Sequence, residues 1–95
     1  MLKFVKVSGN SLEPEYREGD YVMVITFPFF HFKRGDTVVF HHPNYGMMIK
    51  KIERVDSDKI YVVGIHTDSI DSRQFGPINP KSVVGKVIWQ IKKPA

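Results

Sequence analysis

The feature that most constrains this chain is a series of short apolar runs of period two, cut at intervals by turn-forming residues. "LKFVKV" (2–7), "DYVMVIT" (20–26), "DTVVFHH" (36–42), "GMMIKKIERV" (46–55), "KIYVVGI" (59–65) and "SVVGKVIWQIK" (82–92) alternate or concentrate β-branched side chains. Between them stand Gly-Asp at 19–20 and 35–36, Pro-Asn at 43–44, Asp-Ser-Asp at 56–58 and "FGPINP" at 75–80. Alternation over such lengths matches strands with one buried face, and Gly, Pro, Asn and Asp supply the turn conformations between them. Six strands are therefore expected, with helix confined to single turns near 12–17 and 80–83. The fold class that follows is all-β, with coiled antiparallel sheets forming a partly open barrel. Ninety-five residues suffice for one core, so residues 1–95 read as a single domain.

Composition then removes several classes of function. There is no cysteine, which excludes disulfides, thiolate chemistry and Cys-type metal sites. No cofactor and no metal ion is expected. The net charge of +4 is spread along the chain, with only short pairs such as Lys50-Lys51 and Lys92-Lys93, a poor footprint for nucleic acid. The longest apolar stretch, "YVMVITFPFF", is broken by Thr26 and Pro28 and is too short to cross a bilayer as a helix. The chain is expected to be soluble.

Three stretches could carry chemistry. Ser11 lies in Ser-Gly-Asn-Ser-Leu-Glu-Pro, where Gly9 and Asn10 tolerate left-handed backbone angles and Pro14 fixes φ. Such a turn holds a hydroxyl and an N–H in set directions, but serine is also an ordinary turn former, and a nucleophile needs a base. None of the four histidines, at 31, 41, 42 and 66, has a context that marks it. A neutral lysine can serve if burial among apolar groups lowers its pKa. The period of two puts Lys50 on a face with Met48 and Ile52, whereas Lys51 shares the other face with Met47, Ile49 and Glu53, whose carboxylate favours the charged form. Finally, "SIDSR" (69–73) gathers two hydroxyls, a carboxylate and a guanidinium, and reads on its own as a polar loop in which Asp71 and Arg73 can pair.

In order, "SGNSLEPEYREGDYVMV", "KRGDTVVF", "MIKKIERV" and "SIDSRQFGPINPKSVVGKV" resemble the boxes of the signal peptidase I family of serine/lysine peptidases, relatives of the self-cleaving SOS repressors. The resemblance implies Ser11 as nucleophile and Lys50 as general base, with Ser69 orienting the amine and Asp71–Arg73 as a supporting ion pair. The Ser11 N–H would form part of the oxyanion hole. Some members carry a second hydroxyl donor two residues before the nucleophile; Gly9 stands there, leaving a nearby backbone N–H or the Ser8 hydroxyl. Leu12 replaces a more usual methionine. Substrate is expected to lie extended along strand edges near Asn10 and Leu12 and around Met47, Met48 and Ile49.

The Pro-Gly-Asp turn usual after the lysine strand is replaced by "VDSD" and the Gly-Asp-Asn box by "VGIHTD". Both shortenings resemble the compact branch that includes the proposed maturation proteases of nickel-containing superoxide dismutase. The expected activity is serine endopeptidase cleavage of an N-terminal leader or signal segment from a protein substrate. Two alternatives stand beside it: the catalytic domain of an anchored signal peptidase trimmed of its anchor, and a non-catalytic peptide- or protein-binding domain. The expected location is cytoplasmic if this is the full chain, and membrane-associated and extracytoplasmic if an anchor has been removed. The aromatic run at Phe27, Phe29, Phe30 and Phe32 reads either as core or as a peripheral membrane contact.

Overall fold

A computed structural model of the chain describes residues 2–9, 13–26, 31–65 and 69–92. Six strands, β1 (Leu2–Lys6), β2 (Tyr21–Thr26), β3 (Thr37–His42), β4 (Gly46–Asp56), β5 (Lys59–Val63) and β6 (Val83–Ile91), form one antiparallel sheet in the order β1-β2-β6-β3-β4-β5. The only helices among the described residues are α1 (Ser72–Phe75) and a 3₁₀ turn at Pro80–Ser82. The all-β expectation holds. The sheet stays open, with β1 and β5 at its edges.

Glu13–Tyr16 forms a turn rather than the helical turn expected at 12–17. The sequence reading also placed no helix at 72–75, where α1 forms. Four residues carry too little periodicity to show as a helix, and this one depends on its cap at Asp71.

Two apolar clusters sit on opposite faces of the sheet. Val22 and Val24 of β2, Val39 of β3 and Ile49 of β4 pack with Val7 and Tyr16. Val38 and Phe40 of β3, Ile52 of β4 and Ile60 and Val62 of β5 pack with Ile78 and Val83. Adjacent residues of a strand point to opposite faces, so β3 contributes to both clusters, and Thr37 to Phe40 are all buried. One sheet that buries one face in its first half and the other in its second must coil. Register shifts at Met23/Val24, Val39/Phe40 and Ile52/Arg54 supply the local twist for this.

Coiling brings together strands that are far apart in the ladder. β1 and β4 are separated by three strands in the sheet order, yet residues of both line one cleft of about 580 Å³. On the outer face of the first half, Phe4, Met23 and Trp89 lie side by side in register, and Phe4 and Trp89 are exposed. Phe32 packs against the second cluster; Phe27, Phe29 and Phe30 lie outside the described residues. No helix of the described residues is long and apolar enough to cross a membrane.

Candidate active site

β4 carries Lys50 into the cleft. Its strand neighbours on the same side are Met48 and Ile52, and Val38 lies opposite it across the β3–β4 ladder. The residue is only 2% exposed and makes no hydrogen bond or ion pair with any described residue. Burial in these surroundings penalises the ammonium form and moves its pKa down from the usual 10.5. Asp71 pulls the other way and Arg73 adds to the fall. Because those two charges oppose each other, desolvation decides the direction.

The negative charge of Asp71 is itself offset in part by its close partner Arg73. Asp71 is fully buried at the N-cap of α1, and burial alone would raise its pKa. The Arg73 side chain overcomes this with a two-pronged contact, Nε to Oδ1 at 2.9 Å and Nη2 to Oδ2 at 2.8 Å. The N–H groups of Gly64 and Arg73 donate as well, at 2.9 and 3.0 Å. The net result is a carboxyl held at about 2. A capping box with Gln74 completes the turn, and Ser72 Oγ accepts from Val62 N at 2.8 Å, docking α1 on β5. The "SIDSR" segment is thus a capped helical turn braced against the sheet, and its acid and base face each other.

Ser69 lines the same cleft as Lys50. Its Oγ is buried and has no hydrogen-bond partner among the described residues. A buried hydroxyl without a partner costs stability.

The other wall comes from the end of β1 and the residues after it, Val5, Lys6, Ser8 and Gly9. Gly9 has φ +81°, the left-handed region that favours glycine. Its N–H donates to Glu18 Oε1 at 3.2 Å. On the same wall the Ser8 hydroxyl makes no hydrogen bond with any described residue. Ser11, Asn10 and Leu12 lie outside the described residues, as does His66.

The segment that follows is tied down from several directions. Asp20 is buried and accepts from Arg17 N and Gln90 Nε2, each at 3.0 Å. Gln90 Nε2 also donates to Glu15 O at 2.8 Å. Glu15 reaches across to Lys51, with Nζ to Oε2 at 2.6 Å. Sequence reading gave Lys51 the neighbour Glu53, but the register shift between Ile52 and Arg54 interrupts the ladder there, and Glu53 is exposed. The two adjacent lysines therefore have distinct situations: Lys51 holds a neighbouring loop, and Lys50 is buried with no ion pair to a described residue.

Met47, Met48 and Ile49 all line the cleft. Sequence reasoning missed Tyr45, Ile70 and Val39, which line it too. The aromatic after the Pro-Asn turn was a usable signal for Tyr45; nothing local marks the other two. Among the described residues no group of His, Asp or Glu is arranged to hold a metal.

An open all-β sheet with a cleft whose wall carries a buried lysine and a buried serine is compatible with a peptidase-type domain. The chain is a member of the peptidase S24-like family, whose model matches residues 1–88. That family has the serine-peptidase, self-cleaving type of fold and falls in the superfamily that unites SOS repressors with signal peptidases. Comparison with curated proteins returns no match.

Proposed function

We propose that the protein is a serine endopeptidase with a Ser11/Lys50 dyad, acting on an extended segment of a protein substrate such as an N-terminal leader. The observation that carries this reading is Lys50: a lysine buried on the wall of a cleft with no ion pair to a described residue. A domain that only binds peptides has no use for such a group, because its desolvation lowers stability.

Chain continuity supports the partner. Ser11 follows Gly9, a residue that lines the cleft, by two positions in the sequence. The other end of that short segment is held by the Glu15–Lys51 pair, next door to the proposed base.

Neutral Lys50 Nζ takes the proton from Ser11 Oγ as Oγ bonds to the substrate carbonyl carbon. The carbonyl oxygen becomes an oxyanion held by the Ser11 N–H, with the Ser8 hydroxyl as second donor. Collapse breaks the C–N bond, and Lys50 passes its proton to the leaving amine. Water then attacks the acyl ester with Lys50 again as base, releasing the acid and regenerating Ser11. Ser69 Oγ orients the amine through these steps. The shortened turns after the lysine strand favour the compact, leader-removing branch.

The test is cleavage of a proteome-derived peptide library, read by mass spectrometry. Ser11→Ala and Lys50→Met are each expected to lower cutting by more than about 10³-fold. Lys51→Met should retain most activity, since a half-exposed ion pair contributes only about 0–1 kcal/mol. Cutting that survives Ser11→Ala defeats the dyad.

A further inference from the structure

At the hairpin end of the cleft, Tyr45, Met47 and Ile70 line the wall and remain 49%, 53% and 40% exposed. Three large apolar side chains left uncovered around a single concavity are unlike scattered surface residues, because one bound apolar group would cover all of them.

Tyr45 is also held in place. Its ring lies 5.0 Å from that of His42 and 6.0 Å from that of Phe75, and His42 and Phe75 are 4.6 Å apart. His42 Nδ1 accepts from Asn44 N at 3.0 Å, which fixes the turn that presents Tyr45. Phe75 belongs to α1, so the shelf is braced by the same element that carries Asp71 and Arg73. A side chain so fixed loses little freedom when a ligand covers it.

Apart from the proposed base Lys50, the ionisable group lining the cleft is Lys6, with no Asp or Glu among its described lining residues. Lys6, at the end of β1 on the other wall, is exposed and makes no ion pair with a described residue. A cleft lined by an exposed lysine and by no described carboxylate favours a negatively charged segment.

We propose that Tyr45, Met47 and Ile70 form a subsite for a bulky apolar side chain of an extended peptide substrate, and that Lys6 receives a carboxylate side chain of the same segment. This rests on the peptidase reading for the identity of the occupant as substrate. The selected segments are therefore those that pair a Leu, Ile, Met, Phe or Tyr with an Asp or Glu a few residues away. Tyr45 acts by fit and Lys6 by charge, so each alters preference without touching the reacting atoms.

The experiment uses the full chain carrying Ser11→Ala, which binds without cutting, and a phage-displayed random octapeptide library. Selected peptides are expected to share a bulky apolar residue at one position and an acidic residue at another. A synthesised peptide of that consensus, followed by fluorescence anisotropy, should bind at least about tenfold more weakly when Tyr45→Ala is added, equivalent to about 1.4 kcal/mol. Met47→Ser should weaken it as well, and Lys6→Glu should reverse the charge preference to Lys or Arg. Absence of an apolar consensus, or one whose affinity is unchanged by both Tyr45→Ala and Met47→Ser, overturns the subsite. An acidic preference that persists in Lys6→Glu overturns the role of Lys6. Exposure of the wild-type chain to the same peptide reads the underlying activity separately. A peptide held through Tyr45 but left intact defeats the peptidase reading and leaves the subsite standing; one cut equally well by wild type and Tyr45→Ala does the opposite.

Discussion

Lys50 is buried among apolar side chains on β4, and its protonation state ties catalysis and stability to pH with related signs. In the folded chain its pKa lies below 10.5 because burial disfavours the ammonium, whereas the unfolded chain keeps the ordinary value. Between those two values the unfolded state binds more protons, so stability rises with pH across that window. Below the folded pKa the penalty is fully present; above about 10.5 it is gone. Lys50→Met should therefore raise the melting temperature, by on the order of 5 °C at pH 7, and by much less at pH 10.5. A calorimetric series over pH checks this, and an equal gain at both pH values would contradict it. Activity of the wild type should rise towards alkaline pH as Lys50 loses its proton. Arg73 modulates that rise, since it neutralises Asp71 as seen from Lys50. Arg73→Gln leaves the Asp71 carboxylate less compensated, raises the Lys50 pKa and moves the onset of the pH–rate profile to higher pH. A profile that stays in place, or moves to lower pH, would count against this coupling.

At the scale of elements, the strands were legible in the sequence because period-two alternation and Gly-Asp, Pro-Asn and Asp-Ser-Asp turns are local signals. "DTVVFHH" shows the limit of such signals. Its run of consecutive apolar residues gives a strand but not the two faces that Val38 and Val39 bury separately. The contact between Asp71 and Arg73 was legible as a pair, but the capped turn that presents it depends on Gly64 and Val62 of a different segment. The Glu15–Lys51 bridge joins residues 36 apart in sequence, so strand patterning gave it no signal. Gly85 is a further case, a residue that nothing local in "SVVGKV" singles out. In the sheet it sits in β6 where β2 and β3 both pair with it, opposite Thr26 and Val39. A Cβ there would fall 2.5 Å from the Ile25 carbonyl oxygen and closer still to Val24 Cγ1. The backbone cannot withdraw without breaking a ladder on either side. Gly85→Ala should cost at least about 1–3 kcal/mol, read as a lowered denaturant midpoint, while Gly9→Ala should act through its positive φ instead.

For the whole molecule, the question is whether one sheet with two cores behaves as one unit. The first cluster holds Val22 and Val24, the second Ile60 and Val62, and among the described residues no buried side chain belongs to both. What links them is β3, buried on both faces, together with β6, which pairs with β2 on one side and β3 on the other. The cleft reinforces the link from outside, because its walls come from β1 and β4, and the Glu15–Lys51 pair ties β4 to the segment before β2. Loss of either core would strip one face of β3 and leave its buried backbone without cover, so neither half can melt and leave the other intact. Ile60→Ala should then cost about 2–5 kcal/mol and lower the stability of both halves together. Methyl NMR signals of Val22 and Val24 and of Val62, followed through thermal unfolding of this variant, should disappear in one coincident transition. If the Val62 signals melt first while Val22 and Val24 stay native, the two halves are separate cooperative units. In that case the cleft would be an interface between the units, and Lys50 would be fixed by the second core alone.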